Sequence, residues 1–146
     1  MDFPIDIRRF LPHRKPMLMV DEISHLNDEE ITTNLKVLED NIFVENGVLS
    51  EIGIIENAAQ TSSGIIGRPY FEANKNDESY SVQGYISKIK RVEIFSLPLI
   101  NTTIKTHGKL ISSHPVNGYF NCDMICETYC DNVKIADSSF NLIIQV

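Results

Sequence analysis

This sequence predicts an α+β domain in which a curved antiparallel sheet of six strands wraps around one long central helix. Three observations predict it. The run from Ile52 to Gly67 is apolar almost all round and long enough for about four helical turns. Strand-like segments flank it, two before and four after. A helix apolar on every face must be covered by other elements, and a curved antiparallel sheet covers it most economically.

Each element has its own local signals. Residues 6–11 suggest a short helix ended by Pro12, and 17–26 a first strand. Asn27-Asp28 marks a turn, after which 30–38 alternates as a second strand. Residues 40–49 are irregular, with a turn at Glu45-Asn46-Gly47. Ser50 is placed to cap the helix, with Glu51 in its first turn, and Gly64, Gly67 and Pro69 are expected to end it. A polar loop over 72–79 leads to strands at 80–94, 101–111, 116–129 and 134–145. Turns are expected at Leu97-Pro98, over 112–115 and at Asp131-Asn132. No repeat or linker divides the chain, so residues 1–146 read as a single domain.

Composition narrows the class. A net charge of −7 disfavours nucleic-acid binding, which needs a basic surface. No segment approaches the ~20 apolar residues of a membrane span, and the first residues lack a secretory layout, so a cytoplasmic location is expected. The positive charge is clustered at His13-Arg14-Lys15 and at Lys88, Lys90 and Arg91, as a solvated face or as a patch for an acidic partner. Cys122 and Cys126 lie on one face of an alternating segment. At four residues apart on a strand they are ~13 Å from each other, too far to share a metal or a disulfide. Cys122, Cys126 and Cys130 are expected to be small core residues; no metal or cofactor is anticipated.

Glu56 is the single charged side chain between Ile52 and Gly67. Burying an unpaired carboxylate is costly or else keeps it protonated, so its retention points to use. Gln60 falls at i+4 on the same face, within reach of the carboxyl group or a shared ligand. A structural carboxyl, tied to backbone or across a dimer axis, is the competing explanation.

Two motifs bring a family into view. The stretch Leu11-Pro-His-Arg-Lys-Pro-Met-Leu-Met-Val-Asp21 resembles the opening motif of the 3-hydroxyacyl-acyl-carrier-protein dehydratases, and Glu56-Asn-Ala-Ala-Gln60 resembles their helix pattern Glu-x-x-Ala-Gln. The resemblance implies the hot-dog fold over the whole chain. It is closest to the divergent dehydratase-like proteins of aryl polyene and flexirubin-type pigment pathways, through Phe43-Val-Glu-Asn-Gly-Val-Leu49 and Gly53-Ile-Ile-Glu56. One departure stands out. The standard enzymes carry a catalytic His about fourteen residues before the Glu, where this chain has Asn41, and 40–45 contains neither His nor Pro.

The resemblance implies dehydration of 3-hydroxyacyl thioesters held on an acyl carrier protein, giving trans-2-enoyl thioesters. Glu56 would protonate the departing hydroxyl, and backbone N–H groups near the helix N-terminus would polarise the thioester carbonyl. Gly53 would let substrate approach the helix, Gln60 would orient the carboxyl group, and Asn41 could position a water. His13 is the best remaining base, with a packing role as its alternative. His25 lies towards the end of a strand, His107 and His114 suit surface or turn positions, and Asp21 a structural one. The acidic carrier would dock on Lys88, Lys90 and Arg91. The expected assembly is a homodimer or heterodimer formed by edge pairing, or a higher oligomer. Two competing readings are a hot-dog thioesterase using Glu56 alone and a non-catalytic acyl-binding subunit paired with an active dehydratase.

Overall fold

The computed structural model of the chain describes residues 2–74, 77 and 83–145. Its long strands are β2 (Glu22–Leu26), β3 (Glu30–Lys36), β6 (Gln83–Ile94), β7 (Thr103–Val116), β8 (Tyr119–Cys130) and β9 (Val133–Gln145), with a short β1 (Ile5–Asp6) ahead of them. A small ribbon of β4 (Val44–Glu45) and β5 (Val48–Leu49) precedes one long helix, α1 (Glu51–Ala73). Seven strands form an antiparallel sheet in the order β1-β2-β3-β7-β8-β9-β6, and this sheet packs around α1. The α+β, hot-dog architecture is therefore as expected, with one additional strand, since Ile5–Asp6 pairs with Ile23 and Glu22.

Tight turns set the sheet's register. Asn117-Gly118 and Asp131-Asn132 all have positive φ, the conformation that matches the twist of a two-residue hairpin. The β7–β8 turn thus lies beyond the expected 112–115. Residues 112–115 stay extended, and Pro115 is tolerated because β3 pairs with β7 over Thr103–Lys109 and leaves that edge of its end open.

The helix also outruns expectation. Pro69 sits inside α1 rather than ending it, and its side chain faces solvent. The cost of a proline in a helix is offset by the packing of the next two residues. Phe71 stacks on Phe10 at 4.1 Å between ring centroids, and Tyr70 and Phe71 pack on the core. Asn74 then closes the helix, its backbone and side-chain nitrogens both donating to the Tyr70 carbonyl. Ser50 holds the N-cap position with an extended backbone, but its side chain makes no capping bond. Of the 72–79 loop, Glu72 and Ala73 are helical, and most of the remainder, with the expected start of β6 at Tyr80, lies outside the described residues.

Residues 17–21 form no strand. With the residues from Ile7 on, this segment forms a strap beside α1, in which the Met17 carbonyl and both backbone groups of Met19 bond helix side chains instead of a ladder. The short helix expected over 6–11 is a single 3-10 turn, Ile7–Arg9. Helix and sheet meet closely at Gly64, where a Cβ would come within 2.5 Å of the Ile31 side chain. Ile31, Ala58, Phe140 and Leu142 fill the core there, and Met19, Leu35, Leu49 and Ile54 fill it near the helix N-terminus.

Candidate active site

Glu56 lies in the second turn of α1 and is half-buried, opening into a cavity of about 250 Å³ between the helix, the strap and β6. His13 from the strap, Ala59, Gln60 and Ser63 from the helix, and Gly84 from β6 share this cavity. Glu56, Ala59, Gln60 and Ser63 reach one wall because i+3 and i+4 spacing keeps them on one helix face.

Gln60 organises the polar side of the cavity. Its Nε2 donates to Glu56 Oε1 at 2.8 Å and to the Met17 carbonyl at 2.9 Å, while its Oε1 accepts the Met19 N–H at 2.8 Å. Both amide hydrogens are thereby used, and Gln60 is almost fully buried. Asn57, equally buried, adds a second clamp: its Nδ2 donates to the Met19 carbonyl at 2.7 Å and its Oδ1 accepts the Thr106 hydroxyl at 2.6 Å. Helix and strap are thus joined by three hydrogen bonds, which hold His13's segment over Glu56. His13 Nδ1 is buried with no hydrogen-bond partner among the described residues. A buried ring nitrogen without a partner is uncommon and marks a place where a substrate or solvent proton can be met.

The other expected site residues lie elsewhere. Asn41 is outside the Glu56 cavity: its Oδ1 accepts the Phe43 N–H, its Nδ2 points to the Met19 sulfur at 3.3 Å, and it lines a separate cavity of about 160 Å³ with Lys15 and Lys36. Gly53 packs against the chain itself, where a Cβ would fall 2.5 Å from Leu49 Cδ1 and 3.0 Å from Phe43 Cβ. Lys88, Lys90 and Arg91 are exposed on β6, with Lys90 bonded to Asp123 at 2.5 Å and Arg91 paired with Glu93. Asp21 has the structural role expected of it, accepting the Lys36 N–H at 2.8 Å. His25, His107 and His114 are exposed, and His107 bonds Thr32 at 2.8 Å. Cys122 and Cys126 are buried and Cys130 is half-buried; burial pushes the Cys126 thiol up to about 12. Among the described residues no cluster has the makings of a metal site, and no helix is long and apolar enough to cross a membrane.

A family model described as ApeP dehydratase, of the ApeP-like family, matches residues 5–142. The chain belongs to the ApeP-like dehydratase family. That match covers both the strap carrying His13 and the helix carrying Glu56. Among solved structures, the ApeI:P dehydratase heterocomplex of Xenorhabdus doucetiae superposes with a TM-score of 0.77 at 17% identity, over 94% of this chain and 90% of that one. A hypothetical thioesterase from Streptococcus pneumoniae, solved with coenzyme A, gives 0.61 at 11% identity, over 85% and 84%. A Helicobacter felis homologue of HP0420 gives 0.66 at 14%, over 98% and 90%. At these identities the likenesses speak for the fold. No curated protein matches the chain by sequence.

Asn57 and the Met17–Met19 strap are the site elements that sequence reasoning missed. The signal for Asn57 was present, since an amide within an apolar helix demands a partner. The partners on the strap and on β7 were not legible, because they lie 38 and 49 residues away.

Proposed function

We propose that this ApeP-like protein dehydrates 3-hydroxyacyl thioesters carried on acyl carrier protein, as a step in building polyene or related acyl chains. The observation that supports this best is the pairing in one cavity of a Glu56 carboxyl fixed by Gln60 with a His13 ring whose Nδ1 lacks a partner. His13 takes the proton from C2, and the C2–H electron pair becomes the C2=C3 double bond. The C3–O bond breaks as Glu56, in its protonated form, gives its proton to the departing hydroxyl, which leaves as water. Return of the proton from His13 to Glu56 through solvent resets the site.

The edge strand β6 bears on assembly. Ten of its twelve residues pair with β9, its other edge has no strand partner among the described residues, and Tyr85, Ile86 and Ile89 are exposed along it. Gly84, Tyr85 and Ile86 also line the Glu56 cavity, so pairing β6 with a second subunit would enclose the site. Either a second copy or a related dehydratase chain meets this requirement; the similar Xenorhabdus structure is a heterocomplex.

The test is hydration of a trans-2-enoyl thioester and its reverse, using wild type, Glu56→Gln and His13→Gln, alone and with a partner dehydratase chain. Loss of both directions in each variant supports the assignment. Asn41 at the position of the standard catalytic His favours a second reading, a subunit whose partner does the chemistry. Wild type inactive alone, with the partnered complex indifferent to Glu56→Gln, decides for that reading. Release of free thiol abolished by Glu56→Gln but kept in His13→Gln would instead identify a thioesterase.

A further inference from the structure

The segment that brings His13 to the Glu56 cavity also carries three exposed cations. Among the described residues none of them has an ion-pair partner of its own, the Asp6 field reaching Arg14 while Asp6 itself is bonded to Arg8. Arg9, Arg14 and Lys15 are all exposed, and among the described residues none has a carboxylate within 4.0 Å. Other cations are engaged: Arg8 by Asp6, Arg68 by Asp28 and Glu72, Lys134 by Glu127 and Asp137. On β6, Lys90 and Arg91 are taken by Asp123 and Glu93, which leaves Lys88 alone of the three expected docking residues.

The strap's cations are also held in place. Arg14 Nη1 donates to the Leu11 and His13 carbonyls at 2.8 Å each, and Nη2 to the Arg8 carbonyl at 3.3 Å. Three of its five N–H donors are thus spent on backbone, which fixes the fork and leaves two donors for a partner. Arg9 lies 5.0 Å over the Phe71 ring, which anchors its position while keeping its charge. Lys15 is two residues from His13 and shares the smaller neighbouring cavity with Lys36. Asp21 and Asp40 line that cavity too, and Asp21 is already occupied by the Lys36 N–H. In a chain of net charge −7, a segment with three exposed basic residues and no ion pair of their own among the described residues, next to a residue that lines the site, is where an acidic protein can approach with least repulsion.

We propose that the acidic carrier protein docks on the strap, through Arg9, Arg14 and Lys15, and not on the β6 cluster. The inference rests on the reading that substrates arrive on such a carrier. His13, two residues from Lys15, lines the cavity that the thioester arm would enter. Lys105 and Lys109, though unpaired, lie on the outward face of β7, across the sheet from α1.

Direct binding tests this apart from turnover. Fluorescence anisotropy of each labelled acyl carrier protein of the source organism, loaded with 3-hydroxyoctanoyl phosphopantetheine, is measured against wild type, Arg9→Glu, Lys15→Glu, their double variant and Lys88→Glu. The assembly is kept as purified, and thermal melts check that each variant folds. The expected result is that Kd rises about tenfold or more in the double variant and less than about twofold in Lys88→Glu. Salt should weaken wild-type binding more steeply than that of the double variant. Equal binding by the folded double variant, a larger loss in Lys88→Glu, or no binding by wild type at low salt overturns the inference. Carrier binding through the strap without dehydration would sink the dehydratase assignment and leave the docking surface standing. Dehydration of a free pantetheine thioester with docking unaffected by the double variant would do the reverse.

Discussion

Gln60 Nε2 lies 2.8 Å from Glu56 Oε1, and the same nitrogen donates to the Met17 carbonyl 2.9 Å away. The carboxyl group's orientation is therefore set by the strap as well as by the helix, with one amide as the link. Gln60→Leu, which keeps the bulk and removes every bond, should lower kcat about tenfold to a hundredfold with little change in KM, because it displaces the acid rather than the substrate. Steady-state hydration of an enoyl thioester checks this. A matched rise in KM at constant kcat would mean that Gln60 serves binding alone.

Asn57 ties the strap to the sheet through Met19 and Thr106. Asn57→Leu leaves the Met19 carbonyl and one bond of the Thr106 hydroxyl unmet, and each unmet buried group costs about 1–3 kcal/mol. Thr106→Val removes the hydroxyl side of the pair. The double variant should be less destabilised than the sum of the singles by roughly 0.5–3 kcal/mol in urea unfolding. Strict additivity would rule out the coupling.

Pro69 interrupts the α1 hydrogen-bond ladder and contributes no buried side chain. Pro69→Ala restores an N–H able to reach the Ile65 carbonyl, a gain of up to about 3 kcal/mol in a helix interior. The proline's restriction of the unfolded chain gives back about 0.4–1 kcal/mol. A net stabilisation of roughly 1–2 kcal/mol is expected by denaturant titration. A neutral or lower midpoint would show that the proline's ring supports the end of the helix.

Asp123 accepts from Lys90 at 2.5 Å, Ser112 at 3.0 Å and Asn141 at 3.2 Å, so one carboxylate joins four strands. The Lys90 bond above all, with those from Asn141 and Ser112, holds its pKa down to about 2. A lowered folded-state pKa stabilises the fold above the ordinary carboxylate range and loses that contribution as pH falls toward 2. Wild type should therefore lose more stability than Asp123→Asn between pH 4.5 and pH 2. At neutral pH the variant should be weaker by no more than about 1 kcal/mol, since the group is partly exposed. Parallel stability–pH curves would refute the assignment.

The legibility of the site followed the range of its contacts. Glu56 and Gln60 share a helix face four residues apart, so their meeting was readable from spacing. Asn41 was placed by its match to a family position, yet its amide is used by Phe43 and Met19, outside the cavity. The Lys90 partner was not legible in sequence, because Asp123 comes from a strand thirty-three residues on and cross-strand neighbours depend on register. The Arg91 partner, Glu93, by contrast lies only two residues away on the same strand.

By itself the sequence determined the class of fold, the central helix and the carboxylate set within its apolar run, since apolar periodicity and local spacing are properties of short segments. It also held the hairpin at Asn117-Gly118, whose signal lay beside a proline that drew the expected turn a few residues early. Tertiary structure alone decided that residues 17–21 become a strap, that α1 runs through Pro69, and that His13 joins Glu56. Each of these outcomes balances a local preference against packing and hydrogen bonds from distant parts of the chain, and that balance exists only once the chain has folded.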